Sequence, residues 1–155
     1  MIYMKIDSLP PSVNHAYYDQ VVRKGKDLIP VRRLTKEGKK YKTETASYLA
    51  RTYPQEMRIF CADGSFGIIS RFSFLELLNK TWPKKAKSRY KKFDTNNRPK
   101  LFEDALATAS GVDDSQFLFT GACKQQGPPC TEVWIWNMDR EVPSELFQIP
   151  GLWHL

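Results

Sequence analysis

The stretch Asp94–Gln116 holds Asp94, Asp104, Asp113 and Asp114, together with Glu103, the adjacent Asn96 and Asn97, and Lys100. Hard oxygen donors at this density suit Mg²⁺ (or Mn²⁺), which binds through one or two carboxylates plus substrate phosphate oxygens and water. An ion held beside a phosphodiester polarises the phosphoryl group and lowers the pKa of bound water. An ammonium such as Lys100 stabilises charge developing on the phosphate or orients the attacking water. Such a cluster suits metal-assisted phosphodiester hydrolysis. Directly ahead, Lys80–Lys92 carries seven Lys or Arg residues and no acid. Such cations offset repulsion between the acids and a polyanion, and the acids recruit metal once the polyanion is held.

These side chains need elements to place them. A helix is predicted from about Arg98 to Ala109, with Asn96 or Asn97 as N-cap, Pro99 in the first turn and Gly111 at the end. Asn97, Lys100 and Asp104 then share one helical face, while Leu101, Ala105 and Leu106 form an apolar face beside it. A strand starting near Gln116 and returning along this helix brings Asp113 or Asp114 toward Asp94. Each feature also has a plain structural use. Asp94 can favour the positive helix end, Lys100 and Asp104 can form an i,i+4 pair, and Asp113-Asp114 can be turn chemistry.

Elsewhere, Met1–Leu9 alternates as a strand, and the paired prolines of "LPPSVNHAYY" stop it. Val21–Val31 reads as a basic loop or hairpin turning at Gly25. Thr35 caps a helix running to about Tyr53, before Pro54, with Tyr41, Tyr48, Leu49 and Thr52 near one face. Ser65–Glu76 alternates with Phe66, Ile68, Ser70, Phe72 and Phe74 on one face. Gln116–Ala122 and Glu132–Met138 read as strands separated by the turn residues of "KQQGPPC". Strands and helices do not strictly alternate, which favours an α+β domain with a mixed or antiparallel sheet. One domain over 1–155 is expected, with an ambiguous tail from Asp139 in which Trp153 and Leu155 could dock on the body or a partner.

The formal charge of +7 and the pI near 9.3 favour a polyanionic partner. Two segments share the bias. Lys84, Lys85, Lys87, Arg89, Lys91 and Lys92 lie in the first, with Trp82 and Tyr90 interleaved as possible stacking platforms for unpaired bases. The second, Arg23–Lys42, includes Arg32 and Arg33 and sets nine cations against two acids. Pro83 and the charge density of the first segment predict an exposed, mobile loop. Cys61, Cys123 and Cys130 lack CxxC spacing and read as reduced thiols, and two histidines cannot build a His-rich metal site. No apolar run is long enough to span a bilayer, and no signal peptide is apparent, so a cytoplasmic location is expected.

Taken in order, "LPPSVNHAY", "TKEGKKY", "DTNNRPKLFEDAL" and "GVDDSQ" resemble the RusA family of Holliday junction resolvases. These are small bacterial or phage-borne endonucleases of four-way DNA junctions. The resemblance covers most of Leu9–Lys124. It implies a homodimer with an α+β fold, making paired symmetric nicks that depend on Mg²⁺ or Mn²⁺. It implies Asp94 and Asp114 as metal ligands and Lys100 as the catalytic cation. Asp104 and Asp113 support or ligate, and Asn14 and Tyr17 line the same cleft. The chain departs from the family pattern at Asn96, where a carboxylate is usual. An amide oxygen still ligates but brings no charge, so metal affinity is expected to be weaker. The leading reading is a dimeric, metal-dependent nuclease for branched DNA. The alternatives are a non-catalytic DNA-binding protein, with Asn96 marking lost chemistry, and a scaffold whose charges are only surface.

Overall fold

The computed structural model describes residues 1–60, 63–91 and 98–140. Asp94, Asn96, Asn97, Lys92, Cys61 and the tail residues Trp153 and Leu155 lie outside them. Four strands, β1 (Ile2–Ile6), β4 (Phe66–Phe74), β5 (Phe117–Gln126) and β6 (Cys130–Asn137), form a sheet in the order β1-β6-β4-β5. Only β4 and β5 run parallel; β1 with β6 and β6 with β4 are antiparallel. The sheet is mixed, as the irregular alternation of elements predicted. A second ribbon pairs β2 (Tyr17–Lys24) with β3 (Asp27–Leu34) and turns at Gly25, whose φ of 65° suits glycine.

Two main helices cover one face of the sheet. Helix α2 (Lys36–Thr52) starts where Thr35 accepts a hydrogen bond from the Gly38 N–H. Helix α3 (Pro99–Ser110) begins with proline and ends at Gly111 in the left-handed region, φ 76°. Its cap corrects an expectation: Arg98, not Asn96 or Asn97, stands at the N-cap, in helical conformation and without a capping side-chain bond. Leu49 of α2 and Phe102 and Leu106 of α3 pack on Met4, Ile6, Phe66, Ile68, Val133 and Ile135 of the sheet. On α2, Tyr41 and Leu49 are buried, but Thr52, predicted on the same face, is exposed.

Alternation in β4 was read as one buried face. Both faces are buried, because β6 and β5 flank the strand and Ile69 packs with Trp134 and Trp136 on the side away from the helices. The segment "KQQGPPC" is mostly strand. Only residues 127–129 are left to carry the chain over the end of β4, where the Gly127 N–H donates to the Phe74 carbonyl at 2.9 Å. Cys123 and Cys130 are free thiols. No helix among the described residues is long and apolar enough to cross a membrane.

Candidate active site

The chain connecting parallel β4 and β5 must cross over, and α3 is that crossover. Lys100 and Asp104 lie a helical turn apart on it, and Asp114 follows Gly111 at the approach to β5. The helix turn and the return loop bring these three together. The Lys100 Nζ lies 3.5 Å from Asp104 Oδ1 and 3.3 Å from Asp114 Oδ2. Burial works against the Lys100 charge, yet the carboxylates of Asp104 and Asp114 hold its pKa above the ordinary lysine value.

Asp104 is engaged at both oxygens. Its Oδ2 accepts from the Tyr17 hydroxyl at 2.6 Å, and its side chain is 18% exposed. Burial, then the bond to Asp104, pushes the Tyr17 hydroxyl well above its usual pKa. Tyr17 reaches this position from the other end of the chain. The short helix α1 (Val13–Ala16) is tied to α2 on one side: the Thr35 N–H donates to the Ala16 carbonyl and the Thr35 hydroxyl to the His15 carbonyl. On the other side the Arg98 guanidinium donates to the Pro10 carbonyl. Gly38 lets the helices meet, since a Cβ there would lie 2.4 Å from the Ala16 carbonyl oxygen. "LPPSVNHAY" is thus wedged between the starts of α2 and α3, with Tyr17 facing Asp104. Asn14 is exposed on α1.

Asp113 has a structural use. It caps the 3₁₀ turn Asp114–Gln116: its Oδ1 accepts from the Ser115 N–H at 2.9 Å, and the Gln116 side chain accepts from its own N–H. Hydrogen bonding from Ser115 lowers its pKa. Asp104, Asp113 and Asp114 nevertheless line one cleft of about 430 Å³ with Lys42 of α2 and Thr108 of α3. A larger cavity of about 560 Å³ between β1 and α2 shares no lining residue with it.

The predicted cations separate in space. Arg32 lies 5.3 Å above the ring of Tyr17, the partner of Asp104. Arg33 pairs with Tyr18 and points to the other side of the ribbon, as adjacent strand residues must. Lys84, Lys85, Lys87 and Arg89 are exposed on the loop between β4 and α3. That loop is not shapeless. Leu78 bridges Tyr90, the Lys91 N–H donates to the Leu77 carbonyl at 2.8 Å, and Glu76 takes Lys80 at 2.5 Å and Lys91 at 2.8 Å. Those two ammonium groups lower the Glu76 pKa to about 2. Lys91, read as a DNA contact, therefore helps close the loop.

The sequence reading assigned no individual role to three residues. Lys42 entered only as the end of a basic run, and Glu76 looked like the end of a strand. Glu103 lines a recess beside Lys100 with Thr120 and Gly121; burial raises its carboxyl pKa against the pull of Lys100. Its isolated place on the helix gave no pattern to read.

The donors in the cleft are hard oxygens, the kind Mg²⁺ or Mn²⁺ takes. Among the described residues no three His, Cys, Asp or Glu side chains converge closely enough to hold an ion. Asp94 and Asn96, expected as further donors, lie outside them.

A family model described as Endodeoxyribonuclease RusA matches residues 10–135. No curated protein matches the chain. With most of its length matched, the chain belongs to the RusA family. At the family level its function is endonucleolytic resolution of Holliday junctions, and its substrate is branched DNA. Metal dependence follows in general terms from the same membership.

Proposed function

We propose that this RusA-family chain nicks four-way DNA junctions at a centre built on Asp94, Lys100 and Asp114, with Asp104 and Tyr17 holding the lysine in place. The observation that carries the reading is one ammonium within 3.5 Å of two aspartates from separate parts of the crossover. Asp104 is already committed through both oxygens, to Lys100 and to Tyr17. It is a positioning group in this reading, the supporting one of the two roles that the family resemblance implies for it. Asp114 is 47% exposed and meets Lys100 through one oxygen, so it can turn the other toward a ligand.

Asp114, Asp94 and the amide oxygen of Asn96 would hold Mg²⁺ or Mn²⁺, with Asp113 lending whatever its capping role leaves available. When bound, such an ion polarises a phosphoryl oxygen and lowers the pKa of water. The chain's own residues do the rest. Arg32 and Lys42 draw the backbone phosphate into the cleft. Lys100, charged and aimed by Asp104, meets the phosphate oxygen on which negative charge grows. Tyr17 fixes Asp104, so the lysine is oriented before DNA arrives. Two copies of the chain, related by a twofold axis, would supply the paired nicks of a near-symmetric junction.

The test is Asp114→Asn on a synthetic four-way junction with Mg²⁺ or Mn²⁺. Nicking is expected to fall by at least about a hundredfold, while junction binding without divalent ions stays within about threefold, because a surface carboxylate repels rather than attracts phosphate. Cleavage at the unaltered rate would remove Asp114 from the centre.

A further inference from the structure

We infer that the loop between β4 and α3 carries a stacking pocket for a nucleobase exposed at the branch point of the DNA. The inference rests on the reading above, because it takes branched DNA as the ligand. The pocket, about 520 Å³, is lined by Leu75, Leu78, Asn79, Trp82, Arg89 and Gln126, with the Glu76–Lys80 pair at its edge. Trp82 is 46% exposed, Leu75 69% and Leu78 39%. A large indole and two leucines, all open to solvent, supply the apolar part of this pocket.

Three observations select the occupant. First, the pocket sits among cations. Lys84, Lys85 and Lys87 are exposed, and no ion pair joins them or Arg89 to an acid among the described residues. An exposed apolar surface on a loop that also carries exposed, unpaired cations fits a base attached to phosphates better than an apolar peptide. Second, the floor is polar at its margins. The Gln126 amide already accepts from the Leu78 N–H, and the Asn79 amide donates to the Ser88 carbonyl, leaving in each case the complementary group of the amide for a base edge. Third, the loop is pre-formed. Trp82 hangs on a turn closed by its own N–H to the Asn79 carbonyl at 3.1 Å, and Lys85 donates to the Thr81 carbonyl at 2.8 Å. Binding therefore does not bear the full cost of ordering the aromatic side chain.

Bases inside a continuous duplex are stacked on both faces and cannot enter such a site. A four-way junction interrupts stacking where its arms exchange, so a base face is available there. Stacking on an aromatic ring is tolerant of sequence, which allows the pocket to read the branch rather than the base. The loop leaves the end of β4, and the first turn of α3, with Lys100, follows it in the chain. One crossover connection would thus present both the branch reader and the cleaving group.

The test measures binding without divalent ions, so that cleavage plays no part. Trp82→Ala is expected to weaken binding to a four-way junction about tenfold and leave a linear duplex of the same sequence within about twofold. Trp82→Phe should recover most of the loss, and the circular dichroism spectrum and thermal midpoint should match the wild type. A 2-aminopurine placed at the branch point should be quenched by the wild-type protein and not by Trp82→Ala. Equal weakening on junction and duplex, unchanged junction affinity, or the same fluorescence in both proteins would each overturn the proposal. Wild-type protein that binds the junction no better than the duplex would defeat the underlying branched-DNA reading and this inference with it. A retained wild-type preference that Trp82→Ala does not touch would defeat the inference alone.

Discussion

The carboxylate cleft and the β4–α3 loop carry opposite charges and are made in opposite ways. The cleft draws Tyr17 from one end of the chain to Asp104, 87 residues away, and its members are half-buried and mutually engaged. The loop is closed largely by contacts within one short segment of chain: Glu76 to Lys80, Leu78 to Tyr90, Asn79 to Ser88. Its cations stay in water. Attraction of a polyanion works through solvent over roughly 8–10 Å at moderate salt and tolerates imprecise placement. Charge stabilisation at a single reacting phosphate acts only at contact distance, so it needs the rigid frame of packed helices and sheet. On the function proposed above, the difference in construction matches a difference in task.

Removing groups from each side sharpens the contrast. The largest effect is expected for Lys100→Met, which leaves two aspartates without their shared counter-ion and the reacting phosphate without its cation. Single-turnover nicking should drop by about 10²–10³-fold; a drop under threefold would place the chemistry elsewhere. Tyr17→Phe removes one hydrogen bond from a carboxylate that Lys100 still holds. Its expected result is a loss of about tenfold in kcat with little change in KM, since orientation and not DNA affinity is altered. A change confined to KM would make Tyr17 a DNA contact instead.

The smallest effect belongs to the loop. Glu76→Gln should speed hydrogen exchange at the Lys91 and Asn79 amides that close it, and weaken junction binding by about twofold to threefold. The same clamp has a pH signature. Its carboxylate has a folded pKa lowered to about 2 from an unperturbed 4.5. The clamp's contribution is therefore complete above pH 4.5 and is lost as pH falls toward 2. Amide exchange in the wild type should show this acid-side release, and Glu76→Gln should abolish it; identical profiles would show that the ion pairs do not hold the loop.

Local chemistry was legible in the sequence, and long-range chemistry was not. Thr35, Gly25, Pro99 and Gly111 announced a helix start, a hairpin turn and both ends of α3 because each acts on its own backbone neighbours. Lys100 and Asp104 could be paired from helical spacing, and Asp114 could be brought back toward them by a turn. The Tyr17–Asp104 bond could not be derived from spacing, since nothing local connects β2 to α3; only the family resemblance pointed to Tyr17. The order β1-β6-β4-β5 was equally hidden, because pairing between distant strands is decided by tertiary packing. Asp113 shows the converse: the turn chemistry open to it from its place after Gly111 is local, and its side chain caps the 3₁₀ turn that follows. Glu76 was overlooked because the acid that organises the basic segment stands just outside it.

The placement of β6 has a consequence for when this protein becomes active. It is the last strand of the sheet to be made, yet it lies in the interior, between β1 and β4. A nascent chain still lacking Cys130–Asn137 has its first strand disconnected from the pair that frames the crossover, and the apolar surfaces of both helices have no complete wall to rest on. Cleaving power therefore arrives late, after the ribosome has delivered nearly all of the matched sequence.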